Sequence, residues 1–198
     1  LLAVGAARAN GADQNNTGAV YLYRLESNGT ADYLTKLVAP DGDEDDWFGD
    51  SVSQSGSLLA VGAGDADLEG KEDAGAVYLY HLEDNGSARF LTKVIAPDGD
   101  EEDYFGYSVV LSDNLLAVGA SDANVDGAEN AGAAYLFRVE NNDDVTPLDP
   151  VFRSDGALGD NFGISLSLSG NLLAVGADGA SVGEKRKVGA VHLYRVDK

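Results

Sequence analysis

The sequence predicts an all-β protein, a β-propeller of four-stranded antiparallel blades on a 57-residue repeat, and three observations predict it. The segment Leu-Leu-Ala-Val-Gly-Ala begins at Leu1, Leu58, Leu115 and Leu172, a constant step of 57. The apolar runs are short, rich in β-branched or aromatic residues, and bounded by Gly, Asn, Asp or Pro, which is the pattern of strands and turns. No segment sustains helical periodicity.

Each element follows from the best-defined repeat. Strand 1 is predicted near residues 106–111, strand 2 near 115–119, strand 3 near 133–139 and strand 4 near 147–152. Four strands in about 40–60 residues is the blade pattern. Leu-Leu-Ala-Val and Val-Tyr-Leu-Tyr are apolar at consecutive positions, as expected of strands covered on both faces. Pro147 and Pro150 fall in the strand expected outermost, where a missing amide is tolerated. Residues 1–45 then supply strands 2–4 of a partial blade, 46–102 and 103–159 two full blades, and 160–198 strands 1–3 of a fourth. A blade has two apolar faces and hides them only against its neighbours. A linear solenoid is the competing architecture.

Composition narrows the function. Thirteen Lys and Arg against 34 Asp and Glu leave a net charge of -21, which repels phosphate backbones and anionic lipid. Nucleic acid is therefore not an expected partner. No run approaches the roughly 20 apolar residues of a membrane span, so membrane insertion is not expected of this segment. Without cysteine there is no disulfide framework or thiolate metal site. The absence of any Met, with the mismatched strand phase of the two ends, points to a segment of a longer chain.

Three phased Phe-Gly pairs, Phe48-Gly49, Phe105-Gly106 and Phe162-Gly163, alternate with Gly-Ala at Gly18, Gly75, Gly132 and Gly189. This pattern resembles the FG-GAP repeat family, whose best-known members form the seven-bladed heads of integrin α-chains. The resemblance covers the whole chain and implies an incomplete part of a seven-bladed ring. The sequence departs from the family pattern in two ways. The Pro of Gly-Ala-Pro is replaced by Ala7, Gly64, Ser121 and Asp178. The connection that holds calcium in integrin-type repeats is short here, as at 53–57 and 111–114, and has too few carboxylates for a cage.

Carboxylates concentrate instead between strands 2 and 3. Asp65, Asp67, Glu69 and Asp73 share one spacing with Asp122, Asn124, Asp126 and Asn130: oxygen side chains at loop positions 1, 3, 5 and 9, with Gly70 or Gly127 at position 6. Alternating oxygens around a sharp Gly turn are how an EF-hand-like loop wraps a calcium ion. The alternative is a solvated turn of residues that tolerate left-handed conformations. The outer copies lose the pattern, with Arg8, Asn10 and Ala12 in one and Gly179, Ser181 and Gly183 in the other.

The 4-to-1 loops are acidic as well: Asp41, Asp43, Glu44, Asp45 and Asp46, then Asp98, Asp100, Glu101, Glu102 and Asp103, then a diluted copy from Asp155 to Asp160. These are read as solvated turns. In an up-and-down blade the 2-to-3 and 4-to-1 loops emerge on one face, so both acidic sets share it. By resemblance, that is the face on which integrins bind ligands.

Asn28-Gly29-Thr30 and Asn85-Gly86-Ser87 on the opposite face, and Asn15-Asn16-Thr17 on the acidic one, are acceptor patterns for N-glycosylation. Asn-Gly is equally a hairpin turn. His81 and His192 have no nucleophile or metal-ligand partner in sequence, and acids repeated in every blade argue for architecture over an active site. The expectation is therefore a non-catalytic extracellular or cell-surface module for protein interaction or adhesion, binding a protein or glycan on its acidic face and completed by the rest of its propeller or a neighbouring subunit. A structural subunit of an extracellular filament or appendage, and an accessory domain of a secreted hydrolase, are the alternatives.

Overall fold

The computed structural model describes residues 1–11, 14–140 and 143–196. Among these residues there are fourteen strands and no helix. The first sheet is β1 (Leu2–Ala6), β2 (Ala19–Leu25) and β3 (Ala31–Leu37); the second is β4 (Val52–Ser55), β5 (Leu58–Ala63), β6 (Ala76–Leu82) and β7 (Ala88–Val94). The third is β8 (Ser108–Ser112), β9 (Leu115–Ala120), β10 (Ala133–Val139) and β11 (Val145–Pro147), and the fourth is β12 (Phe162–Ser169), β13 (Leu172–Ala177) and β14 (Ala190–Arg195). Strand order is chain order in each sheet, and neighbours are antiparallel.

The sheets are propeller blades arranged radially. Inner strand β4 packs on β8, and β8 on β12. The four sheets do not close into a ring. Identical sequence takes different burial according to position: Leu-Leu-Ala-Val-Gly-Ala is buried throughout in β9, between two blades, but mostly exposed in β1. Burial on both faces is thus a property of the stack, and the continuous apolar runs anticipate it.

Two strand boundaries differ from the sequence expectation. Strand 1 of the third blade starts at Ser108, not at Gly106, because Tyr107 N turns back to donate to Tyr104 O at 3.1 Å. Strand 4 is Val145–Pro147, not 147–152. Pro147 and Pro150 have no amide to give, so the ladder breaks and resumes through Leu148 N to Leu136 O at 2.8 Å and the Ala134–Val151 bridge. β11 is an edge strand, where such a break is tolerated.

The joints between blades explain the two glycine signatures. Gly75 opens β6 at φ 82°, and a Cβ there would strike the backbone N and O of Phe105. Gly106 likewise admits no Cβ, since Ala76 O occupies the space. Main chain of one blade therefore rests on main chain of the next, an approach only glycine permits. The Phe ring itself enters its own blade: Phe105 is fully buried, edge-on to Tyr135 at 5.5 Å and Phe137 at 6.0 Å, and Phe48 meets Tyr78 at 5.3 Å and Tyr80 at 6.3 Å. Burying such a ring contributes about 2–3 kcal/mol.

Candidate functional site

The acidic loops lie side by side and are knitted together. Each 4-to-1 loop runs against the 2-to-3 loop of the preceding repeat, with Glu102 N donating to Glu72 O at 2.9 Å and Tyr104 N to Asp73 O at 3.1 Å. One repeat earlier Asp45 N and Trp47 N donate to Asn15 O and Asn16 O, and one repeat later Gly159 N and Asn161 N donate to Glu129 O and Asn130 O. Trp47, Tyr104 and Asn161, each just before the Phe-Gly pair, hold left-handed φ values of 55°, 53° and 53°. That conformation is uncommon for bulky residues, and these inter-loop bonds hold it in place. Arg8 stacks over the Trp47 ring at 4.8 Å.

Within each 4-to-1 loop the outer two acids serve the fold. The last one, Asp46, Asp103 or Asp160, is buried. Its Oδ2 accepts from a main-chain N–H three residues back, at 2.7 Å from Asp43, 2.7 Å from Asp100 and 3.0 Å from Ala157. Burial pushes the carboxyls of Asp46 and Asp103 above the usual carboxylate range. The first acid reaches strands 3 and 4 of the next blade: Tyr78 Oη and Lys93 Nζ donate to Asp41 at 2.8 and 2.9 Å. One repeat on, burial and then the neighbouring Asp98 push the Tyr135 hydroxyl up. The reading of these loops as solvated turns is thereby corrected for their last acid, which is buried, while Asp41 and Asp98 stay exposed. The signal was present, since Asp46, Asp103 and Asp160 keep the 57-residue step, as do Tyr78 and Tyr135. The middle acids, Asp43, Glu44 and Asp45 in one loop and Asp100, Glu101 and Glu102 in the next, are exposed.

The 2-to-3 loops are small hairpins. Leu68 and Lys71 exchange both backbone hydrogen bonds, at 3.0 and 2.8 Å, around Glu69 and Gly70, whose φ values of 50° and 86° are those of a type I′ turn. Val125 and Ala128 do the same around Asp126 and Gly127. Position 3 caps the loop: Asp67 Oδ1 accepts from Asp73 N and Asn124 Oδ1 from Asn130 N, each at 3.0 Å. Asn10 and Ser181 play this part for Asn16 and Lys187, so the outer copies keep the cap after losing the acids; Ala12 lies outside the described residues. Gly at position 6 thus belongs to a hairpin, where an EF-hand-like loop would place its bend around an ion. Among the described residues no three His, Cys, Asp or Glu side chains are grouped closely enough to hold a metal by themselves.

The structure does bring together carboxylates that sequence spacing could not pair. Asp65 is half-buried, and that burial, followed by the charges of Asp73, Asp50, Asp45 and Asp46, pushes its carboxyl up to about 6. Asp73 also accepts from Tyr104 Oη at 3.3 Å. Asp122, the equivalent of Asp65, is raised by burial and then by the charge of Asp178.

The chain itself is placed by comparison with known proteins. The family model described as the FG-GAP repeat matches residues 33–80, 89–137 and 151–194. The chain belongs to the FG-GAP repeat family. No curated protein matches it. Among solved structures this FG-GAP chain is similar to the crystal structure of Sqt1 from Chaetomium thermophilum, at 17% identity and a TM-score of 0.54. That match covers 98% of this chain and 40% of the other, and the likeness is one of fold.

The remaining candidate residues are engaged in local structure. Asn28 Oδ1 accepts from Thr30 N and Oγ1 at 2.9 and 2.8 Å, and Asn85 Oδ1 from Ser87 N and Oγ at 2.8 and 2.7 Å, each closing a 3-to-4 hairpin. Asn15 Nδ2 donates to Glu44 Oε1 at 2.8 Å. All three Asn are exposed. His81 lies in β6 with Nδ1 3.5 Å from Glu83, and His192 in β14 with its ring 5.7 Å from that of Phe162.

Proposed function

We propose that this FG-GAP segment is a non-catalytic extracellular interaction module that binds a protein or glycan partner through its acidic face. The observation that carries the reading is the division of labour within the loops. The outer acids and the backbone bonds fix the loop frame, and the exposed middle acids, with Glu69 and Glu72, project charge from it. A fixed array of like charges attracts a complementary surface at little entropic cost, and it speeds encounter more than it tightens the final complex. FG-GAP propellers are often extracellular and take part in protein interaction, and no helix among the described residues is long and apolar enough to cross a membrane.

The test is binding of protein-coated beads to an array of extracellular-matrix proteins and glycans. A combined Glu69→Lys, Glu72→Lys, Glu101→Lys and Glu102→Lys variant should lose the array signals, which should also weaken with salt. A Glu26→Lys, Asp84→Lys variant, changed on the opposite face, should retain them. Equal loss from both variants, or full retention in the first, would remove the acidic face from this role.

A further inference from the structure

The same notch recurs in the first three repeats and is furnished differently each time. In the second blade it lies between the 2-to-3 hairpin and the start of the following 4-to-1 loop. The buried Ala74 and Ala96, with Gly99 and the more exposed Leu68, Lys71 and Ile95, line a cavity of about 530 Å³ there. The first repeat has a smaller version of about 210 Å³, lined by Gln14, Ala39 and Gly42, each one 57-residue step before Lys71, Ala96 and Gly99.

In the third repeat Arg153 stands in place of Ala96. A Cβ on Gly156 would meet Arg153 and Ala131, the residues equivalent to Ala96 and Ala74, so the arginine enters the notch of its own blade. Its side chain is 9% exposed, with Nη1 donating to the buried Asp160 at 2.7 Å and Nη2 3.2 Å from Asp155. Asp103, the equivalent of Asp160, meets no guanidinium. It is 3% exposed, its Oδ2 accepts from Asp100 N as Asp160 Oδ2 does from Ala157 N, and its Oδ1 is buried without a hydrogen-bond partner. An unpaired buried carboxylate oxygen is costly and favours any donor that reaches it. Lys71, replaced by Ala128 in the third repeat, does not reach it: its Nζ donates to Gly99 O and lies 3.6 Å from Asp100, with the side chain 48% exposed. Lys93, also on the cavity wall, is paired with Asp41 at 2.9 Å.

We propose that the second-blade notch is a subsite for an arginine side chain of the protein partner, whose guanidinium takes from outside the place that Arg153 takes from within the third blade. The inference rests on the reading of this face as an interaction surface and names the chemistry it selects. The third blade supplies the template for the occupant. An arginine stem packs along Leu68 and Ile95, the latter 48% exposed, while the planar fork turns in towards Asp103. A lysine ammonium has no such fork and is the more strongly hydrated cation.

The test titrates the isotope-labelled full chain with N-acetyl-arginine amide and follows the amide signals of Ala74, Ala96 and Gly99 by NMR. Saturable shifts are expected there, with the lysine and citrulline analogues weaker by about fivefold or more. Ala96→Arg, which copies the third repeat, should abolish the response. Lys71→Ala, which copies Ala128 and clears the mouth, should strengthen it. A response without saturation, an equal response to the lysine analogue, shifts that persist in Ala96→Arg, or an affinity that Lys71→Ala leaves unchanged or weakens would overturn the proposal. The probe requires no partner, so a negative result removes the subsite while the array experiment still judges the face.

Discussion

Arg153 Nη1 donates to Asp160 Oδ2 at 2.7 Å, and both side chains are nearly out of solvent, at 9% and 4% exposure. The equivalent positions in the two preceding repeats are Ala39 and Ala96, facing Asp46 and Asp103 without a guanidinium, and Asp103 Oδ1 is buried with no hydrogen-bond partner. Arg153→Ala should therefore destabilise the chain by about 3 kcal/mol, because it strands a buried carboxylate. In urea denaturation, Arg153→Ala combined with Asp160→Asn should recover a large part of that loss. Additive losses would show that the two residues are not coupled.

Asp65 gives a pH prediction whose sign follows from its raised carboxyl. A group that binds its proton more tightly folded than unfolded adds stability below its unfolded value of 3.8, and this is lost as pH rises to about 6. At pH 7 the folded chain holds Asp65 ionised against burial and its acidic neighbours. Asp65→Asn should thus stabilise the protein at pH 7 by on the order of 1 kcal/mol, after allowance for solvent screening, and by much less at pH 4. Chemical denaturation at the two pH values checks this, and an equal effect at both would rule out the titration.

Gly75 and Gly70 separate steric from conformational cost. Both have left-handed φ, 82° and 86°, but a Cβ on Gly75 meets the Phe105 backbone while one on Gly70 meets nothing within 4 Å. Gly70→Ala should cost about 1–2 kcal/mol, the strain of that conformation for an L-residue. Gly75→Ala should cost at least about 3 kcal/mol, since the joint itself must open. Thermal melting of the two variants gives the comparison, and equal shifts would mean that the joint yields easily.

The 2-to-3 loops are closed by their own bonds, from Asp73 N to Asp67 Oδ1 and from Asn130 N to Asn124 Oδ1. Calorimetric melting with calcium and with a chelator should therefore give the same transition temperature to within about 1 °C. A rise of several degrees with calcium would establish the ion site that the spacing of these loops suggests.

Much of the fold is legible in the sequence because it is repetitive and local. Strands β9 and β10 follow from Leu115–Gly119 and Ala133–Val139, where apolar continuity and bounding glycines leave little choice. The phase of Phe105 against Gly75 gives the family but hides the contact, since nothing in a one-dimensional pattern shows that one main chain rests on the other. The acidic face is legible as composition and obscure as structure. Asp100, Glu101, Glu102 and Asp103 look alike in sequence, yet three are exposed and one is buried, a sorting made by the turn closing on Asp100 N. The spacing of Asp65, Asp67, Glu69 and Asp73 suggested an ion, and a type I′ turn accounts for the same glycine.

Because Gly75 and Phe105 meet through backbone atoms, the contact is indifferent to the side chains displayed around the rim. Exposed side chains of the loops there, Glu69 and Glu72 among them, can be exchanged without disturbing how one unit seats on the next. Such a chain can change its chemical address while its shape is inherited unaltered.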